Sequence, residues 1–172
     1  MALPEANHSA VLSECGTYRY ELRRRWDPAG PVCAWVMLNP STADAHRDDP
    51  TIRRCVGLSR SWGDAAIIVV NLYALRATHP RNLSSHPDPV GEDNDTWITL
   101  AASAAHRVVC AWGGHELANH RASQVTEILV RTSIPTRHAL SCLGLTTRGA
   151  PRHPLFVPTA STPRPFPAQE VA

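Results

Sequence analysis

The run Ile67-Ile68-Val69-Val70 constrains the fold of this 172-residue chain more than any other feature. A continuous β-branched run is typical of a central parallel strand that is covered on both faces. We therefore predict a buried strand over Ala65 to Tyr73, in which Asn71 follows the apolar run. Three more short apolar segments are predicted as strands: Ala34 to Leu38, Arg107 to Trp112 and His138 to Leu143.

Segments with helical spacing of apolar residues separate these strands. The predicted helices are Thr51 to Trp62, Glu92 to Ala105 and Glu116 to Arg131, and Asp49-Pro50 provides the cap and first-turn residue of the first. The alternation predicts an α/β fold, a three-layer α/β/α sandwich with a central, mainly parallel four-stranded sheet. Thr17 to Leu22 adds an N-terminal strand, antiparallel to Ala34 to Leu38, because a turn-rich segment joins them.

The length suits one domain with a full core and is too short for two. Residues 1–16 show no periodicity and are predicted to be a loose N-terminal lead-in. Residues 17–157 form the single domain, and residues 158–172 form a proline-rich C-terminal tail without regular structure. Residues 74–91 are predicted to form a long ordered loop, a feature that is commonly functional.

Composition narrows the classes of function. All 17 basic residues are arginine and the net charge is +2, so the chain lacks a strong basic field and a lysine for Schiff-base chemistry. The five cysteines form no C-x-x-C pair, which indicates reduced thiols in a cytoplasmic protein and disfavours zinc or iron–sulfur ligation. We expect no metal site and no cofactor. No leading apolar segment and no apolar run of about eighteen residues occurs, so neither export nor membrane insertion is expected.

Polar residues or glycines follow each predicted strand. They are, in chain order, Asn39, Asn71, Gly113-Gly114-His115 and the approach to His153. In open α/β sheets ligands bind at the carboxyl ends of the strands, so we expect these groups to meet in one cleft. Each of them taken alone also has an ordinary structural interpretation, as a turn asparagine, a helix cap or a surface histidine.

Four segments resemble, in this order, the motifs of the uracil-DNA glycosylase superfamily and of an uncharacterised bacterial domain family close to it. Leu38-Asn39-Pro40-Ser41 has the asparagine form typical of the mismatch-specific thymine/uracil branch. Ile67 to Ala77 is similar to the strand whose asparagine binds the base edge. Cys110 to His115 is similar to the Trp-Gly-x-His strand end, and Arg152-His153-Pro154-Leu155 to the His-Pro-Ser motif.

The resemblance implies a role for each matching side chain. Asn39 would position the attacking water, and His153 would donate a hydrogen bond to the departing base. Ser41 stands where the uracil-specific branch has a bulky tyrosine, which implies that a larger or modified base fits. Leu155 stands where the family has serine, and it or Phe156 is expected to wedge into the space that the base leaves.

The predicted substrate-binding residues are those that match the glycosylase motifs, together with Asn94 and Asp95 at the start of a predicted helix. The alternative role for these two residues is to cap that helix. The whole set is Pro40, Ser41, Asn71, Tyr73, Asn94, Asp95, Gly113, His115 and Leu155.

The function implied is that of a monofunctional DNA glycosylase, which flips a damaged, mismatched or modified pyrimidine out of DNA and cleaves its N-glycosidic bond. It would act as a monomer, without a cofactor, and leave an intact abasic site. Two alternatives stay open. The nearly neutral charge suits an N-glycosidase for a free nucleoside or nucleotide, and the same fold can serve as a non-catalytic nucleotide or nucleic-acid binding module.

Overall fold

The computed structural model describes residues 8–79, 81–136 and 140–167, which form one seven-stranded sheet with helices packed on it. The strands are β1 (His8–Leu12), β2 (Arg19–Arg25), β3 (Val32–Met37), β4 (Ala66–Asn71), β5 (Arg107–Cys110), β6 (Leu140–Cys142) and β7 (Arg164–Pro165). The α-helices are α1 (Pro50–Ser61), α2 (Arg81–Ser85), α3 (Asn94–Ala104) and α4 (Ala118–Thr136). The strand order is β1-β2-β4-β3-β5-β6-β7.

The middle of the sheet is parallel and its edges are antiparallel. β3 pairs in parallel with β4 and β5, and β5 with β6. β1, β2 and β7 run antiparallel to their neighbours. The predicted α/β class is confirmed in this mixed form, but the predicted strand number was wrong, because the described sheet has seven strands instead of four and one added strand.

The strand β2 does not pair where the sequence led us to expect. It lies against β4, with Leu22 opposite Val69, and not against β3. Both edges of β3 are occupied by parallel neighbours, so the free edge of β4 is the one that receives β2. Since β2 is antiparallel to β4, its first residue, Arg19, lies at the carboxyl end of β4, where its N–H donates to the Ala74 carbonyl.

The N-terminal lead-in contains regular structure that the sequence analysis missed. β1 pairs with β2 through five residues, with a register shift at its end. The sheet therefore begins before residue 17, and residues 1–7 lie outside the described part of the chain.

The C-terminal tail is also partly ordered, contrary to expectation. β7 pairs with β6, and the next residue, Phe166, contacts Trp112 edge-on with ring centroids 5.6 Å apart. Residues 168–172 lie outside the described part of the chain, as do His138 and Ala139 of the fourth predicted strand.

Helices cover both faces of the sheet. On one face α1 buries Ile52 and Leu58 in a cluster with strand residues. On the other face α3 and α4 bury Ile98 and Leu129 in a second cluster. Burying one such side chain contributes about 1.5–3 kcal/mol, so the two clusters hold the helices in place and leave the strand ends as the accessible edge.

Local sequence signals placed the start of α1 correctly. Asp49 is its N-cap and accepts a hydrogen bond from the Ile52 N–H at 2.8 Å, and Pro50 is the first helical residue. The predicted loop 74–91 contains the short helix α2, which buries Leu83.

Candidate functional site

The register of the parallel strands brings their carboxyl ends to one rim. Met37 of β3 lies opposite Asn71 of β4, and Val36 of β3 lies opposite Cys110 of β5. The three strands therefore end level, and the segments that follow them leave the same edge of the sheet. This is the edge at which open α/β sheets bind ligands.

A pocket of about 460 Å³ lies at this rim. Its volume falls within the roughly 300–1,000 Å³ of typical small-molecule sites. Four separate segments of the chain contribute predicted site residues to its wall. These residues are Asn39, Ser41, Asn71, Gly113, His115 and His153.

Asn71 presents an amide without a protein partner. The residue is 1% exposed, and within the described part of the chain neither Nδ2 nor Oδ1 has a hydrogen-bond partner. Leaving a buried polar group unpaired costs about 1–3 kcal/mol. An amide held in this way on a pocket wall offers both donor and acceptor positions to a ligand.

Asn39 is fixed by its amide nitrogen. Nδ2 donates to the Ala77 carbonyl at 2.7 Å and to the Pro40 carbonyl at 3.0 Å. These two bonds use both N–H groups and leave Oδ1, an acceptor, as the atom available to the pocket. Asn39 can therefore accept a hydrogen bond from a water molecule, but its amide is too weakly basic to take a proton.

His153 is oriented by a hydrogen bond to the backbone that follows it. Its Nδ1 accepts from the Leu155 N–H at 3.3 Å, as the cap of a 3₁₀ turn over Pro154–Phe156. Burial lowers the pKa of the His153 imidazole, and the Asp49 carboxylate acts in the opposite direction. A neutral ring that accepts at Nδ1 carries its proton on Nε2, which makes Nε2–H a donor.

The loop that carries His153 is tied to two neighbouring elements. Arg54 of α1 donates from Nε to the Pro154 carbonyl at 3.2 Å, and its second nitrogen donates to the Val157 carbonyl. On the other side the Gly113 N–H donates to the Pro151 carbonyl at 3.0 Å. These hydrogen bonds hold the loop, and therefore His153, in a fixed position next to the carboxyl ends of the strands.

Gly113 is required where β5 leads into the pocket. Its φ is +80°, and a Cβ at this position would lie 3.4 Å from the His153 Cβ. A left-handed backbone favours glycine, so any other residue there would strain the backbone, while its Cβ would only contact the histidine at van der Waals distance. His115, two residues on, is exposed at the rim, and its Nδ1 accepts from the Leu117 N–H at 3.3 Å.

Three predicted substrate contacts do not line the pocket. Pro40 is buried next to Asn39, and Leu155 is 44% exposed outside the wall. Tyr73 is used structurally, because its hydroxyl donates to the Leu117 carbonyl at 2.7 Å.

The two predicted residues at the start of α3 also have other partners. Asn94 is fully buried, and its Nδ2 donates to the carbonyls of Asn71 and Leu72 at 3.0 Å each. Asp95 forms an ion pair with Arg121, which in turn donates to the Leu72 carbonyl. Neither residue caps the helix, since Asp93 is the N-cap. Asn94 directly and Asp95 through Arg121 hold the backbone around Asn71 in place, so neither is assigned a contact with a ligand.

Sequence reasoning missed the two charged residues of the pocket, Arg19 and Asp49. Arg19 is 2% exposed, donates to the Ala43 carbonyl at 2.7 Å, and has no partner for its Nε in the described part of the chain. Burial lowers the pKa of Arg19 to about 10, and the Asp49 carboxylate opposes that change. No local signal marks Arg19, whose position depends on which strand β2 pairs with. Asp49 was recognised only as a helix cap.

Residues 8–79, 81–136 and 140–167 contain neither a metal-binding cluster nor a membrane-spanning helix. No group of three or more His, Cys, Asp or Glu in those ranges is placed to hold a metal ion. The helices described there are too short or too polar to cross a bilayer. The five cysteines are unpaired.

Together the fold and the pocket define an α/β protein with a polar ligand pocket at the carboxyl ends of its parallel strands. The chain belongs to the family described as "Protein of unknown function (DUF1643)", whose model matches residues 19–155. The matched segment contains all the pocket-lining residues except Phe156. No curated protein and no solved structure matches the chain significantly.

Proposed function

We propose that this protein hydrolyses N-glycosidic bonds, as a monofunctional DNA glycosylase that excises a damaged, mismatched or modified pyrimidine flipped out of DNA. The observation that carries the proposal is the common pocket of Asn39, Asn71 and His153, in which the buried Asn71 amide has no protein partner. The resemblance of four ordered segments to the uracil-DNA glycosylase superfamily supports it.

The chemistry of the bond explains why these side chains suit the reaction. Breaking the bond between C1′ of the sugar and the base nitrogen leaves positive charge on the sugar and negative charge on the base. The Nε2–H of His153 stabilises the base anion, and the free Oδ1 of Asn39 holds the attacking water. Asn71 reads the base edge, and an unpaired buried amide discriminates strongly against bases that cannot pair with it.

Ser41 sets the size of base that is accepted. It lies on the pocket wall, where its short side chain leaves room beside the base. We therefore propose that pyrimidines with a substituent at C5 are substrates. The chain has no lysine, so the product is an intact abasic site without strand cleavage through a lysine imine.

Two exposed apolar side chains favour DNA over a free nucleotide as the substrate. Phe156, on the pocket wall, is 78% exposed, and Leu155 is 44% exposed. Apolar side chains beside a base pocket are suited to fill the space in a duplex from which a base has been flipped. A free nucleoside has no such space, so it would give these side chains no role. We propose a monomeric enzyme that acts in the cytoplasm, where its five unpaired cysteines stay reduced.

Mass spectrometry of released bases tests the proposal. The protein is incubated with duplex and single-stranded oligonucleotides carrying uracil, thymine mismatches and C5-modified pyrimidines, and with the matching free nucleosides. We expect release from one class of DNA and a loss of about 10²-fold or more in the Asn39→Ala variant. If wild type and variant release the same trace amounts of base, the catalytic role of Asn39 is wrong. The protein would then be better described as a non-catalytic binding module.

The Phe156→Ala variant distinguishes the proposed DNA glycosylase from the alternative, a hydrolase of free nucleosides. Because the side chain is exposed, its removal costs little stability. We expect slower base release from duplex DNA and unchanged binding of a free nucleoside. A variant that retains full activity on duplex DNA would argue against a wedge role for Phe156.

A further inference from the structure

We propose that Asp49 is a catalytic residue of this pocket, the general base that takes the proton of the attacking water. The inference rests on the proposed glycosidase function and adds a residue to it. Neither the four segments of the resemblance nor the helix pattern assigns Asp49 any role beyond capping.

The position of Asp49 suits this role. It lines the same pocket as Asn39 and His153, and it is the one carboxylate among the described residues of the pocket wall. Its Oδ1 accepts from the Ile52 N–H at 2.8 Å, which fixes the carboxylate in one orientation. Within the described part of the chain no hydrogen bond involves Oδ2 and no ion pair within 4.0 Å neutralises the group.

Electrostatic coupling places the Asp49 charge near the groups that would work with it. The Asp49 carboxylate partly offsets the burial that lowers the pKa values of His153 and Arg19. A negative charge on the wall of the same pocket also stabilises positive charge that develops on the sugar.

The reaction also needs a proton acceptor that Asn39 cannot supply. As the bond between C1′ and the base nitrogen breaks, its electron pair leaves with the base. A water oxygen forms the new bond to C1′, and one water proton must depart. Asn39 can hold the water through Oδ1 but cannot take this proton. Asp49 takes it and later releases it to solvent, while the base anion, bound to His153 Nε2–H, takes up one proton from solvent, so that one water is consumed and the carboxylate is restored.

A purely structural role for Asp49, as the cap of α1, makes a different prediction. Asparagine caps helices as well as aspartate does, so Asp49→Asn keeps the cap while it removes the charge and the proton acceptor. Asp93→Asn is the matched control, since Asp93 is the N-cap of α3, is exposed and does not line the pocket.

Steady-state kinetics and thermal melting of the full-length variants test the inference on the substrate found by base release. We expect Asp49→Asn to melt like wild type, to lose about 10²- to 10⁴-fold in kcat, and to keep KM within a few-fold. Asp93→Asn should stay within about twofold of wild type in kcat.

The pH profile of kcat gives a second readout. The shape of the profile should differ between wild type and Asp49→Asn, because only wild type has this proton acceptor in the reaction. The other charged or titratable groups on the pocket wall are Arg19, His115 and His153. Cys55 lies buried in α1, the helix that Asp49 caps.

The outcomes separate the inference from the proposed function. An Asp49→Asn variant with wild-type kcat, in a protein that releases bases, overturns the role of Asp49 and leaves the glycosidase function intact. A wild-type protein that releases no base from any DNA or nucleoside overturns both. Loss of kcat with a pH profile of unchanged shape also contradicts a general base.

Discussion

The Asn94 amide nitrogen donates to the backbone carbonyls of Asn71 and Leu72 at 3.0 Å each. One buried asparagine thereby fixes the backbone that carries another, whose own amide is left free for the pocket. The two residues have the same side chain and nearly the same burial, but opposite roles. Their substitutions are expected to change stability in opposite directions.

Asn94→Leu should lower the free energy of unfolding by about 1–3 kcal/mol, because it removes two hydrogen bonds to buried carbonyls. The side chain is fully buried, so water cannot replace it. Urea denaturation measures the change. Asn119→Ala, at an exposed position of α4, is the control and should change the value by less than about 0.5 kcal/mol. An unchanged free energy of unfolding in Asn94→Leu would mean that the two hydrogen bonds do not stabilise the fold.

Asn71→Leu should raise the free energy of unfolding by about 1–3 kcal/mol while it abolishes base release. The near-isosteric apolar side chain removes a buried amide that has no partner within the described part of the chain. Urea denaturation and the base-release assay are run on the same preparation. A destabilised variant would show that the amide has a structural partner after all.

The lowered pKa of His153 predicts a pH-dependent stability. Burial favours the neutral ring in the folded state, so the unfolded chain takes up the proton first as the pH falls below the ordinary value of 6.5. Wild type should therefore lose stability through that range and level off below the folded-state pKa. His153→Asn retains a residue able to cap the 3₁₀ turn and should lack this dependence. Urea titrations at a series of pH values compare the two, and parallel curves would contradict the prediction.

Ser41→Tyr should narrow the substrate range toward pyrimidines without a substituent at C5, because the ring would occupy the space beside the base. Ser41 lines the pocket, whereas its neighbour Thr42 is exposed and does not. Thr42→Tyr is therefore the control. Base release from paired oligonucleotides that differ only at C5 measures the effect. An unchanged range in Ser41→Tyr would mean that this residue does not border the base.

Much of the fold was predictable because burial leaves a local pattern in the sequence. The β-branched run of β4, the cap and proline that start α1, and the strand-ending Asn39 and Asn71 are all decided by neighbouring residues. The shared pocket of Asn39, Asn71 and His153 followed from one general property of parallel sheets. The contacts of Asn94 and Tyr73 were not predictable, because a polar side chain near a strand end can bind backbone or ligand equally well.

The sequence by itself determined the central strands β3, β4 and β5 and the helices α1, α3 and α4, and which polar residues stand where the central strands end. The tertiary structure alone decided that β2 lies beside β4, which brings Arg19 to the pocket that Asp49 also lines, and that Asn71 has no partner among the described residues. The physical reason is that periodicity records how deeply each residue is buried. Pairing and hydrogen bonding between distant segments depend instead on which edges and polar atoms are still free once the core has formed.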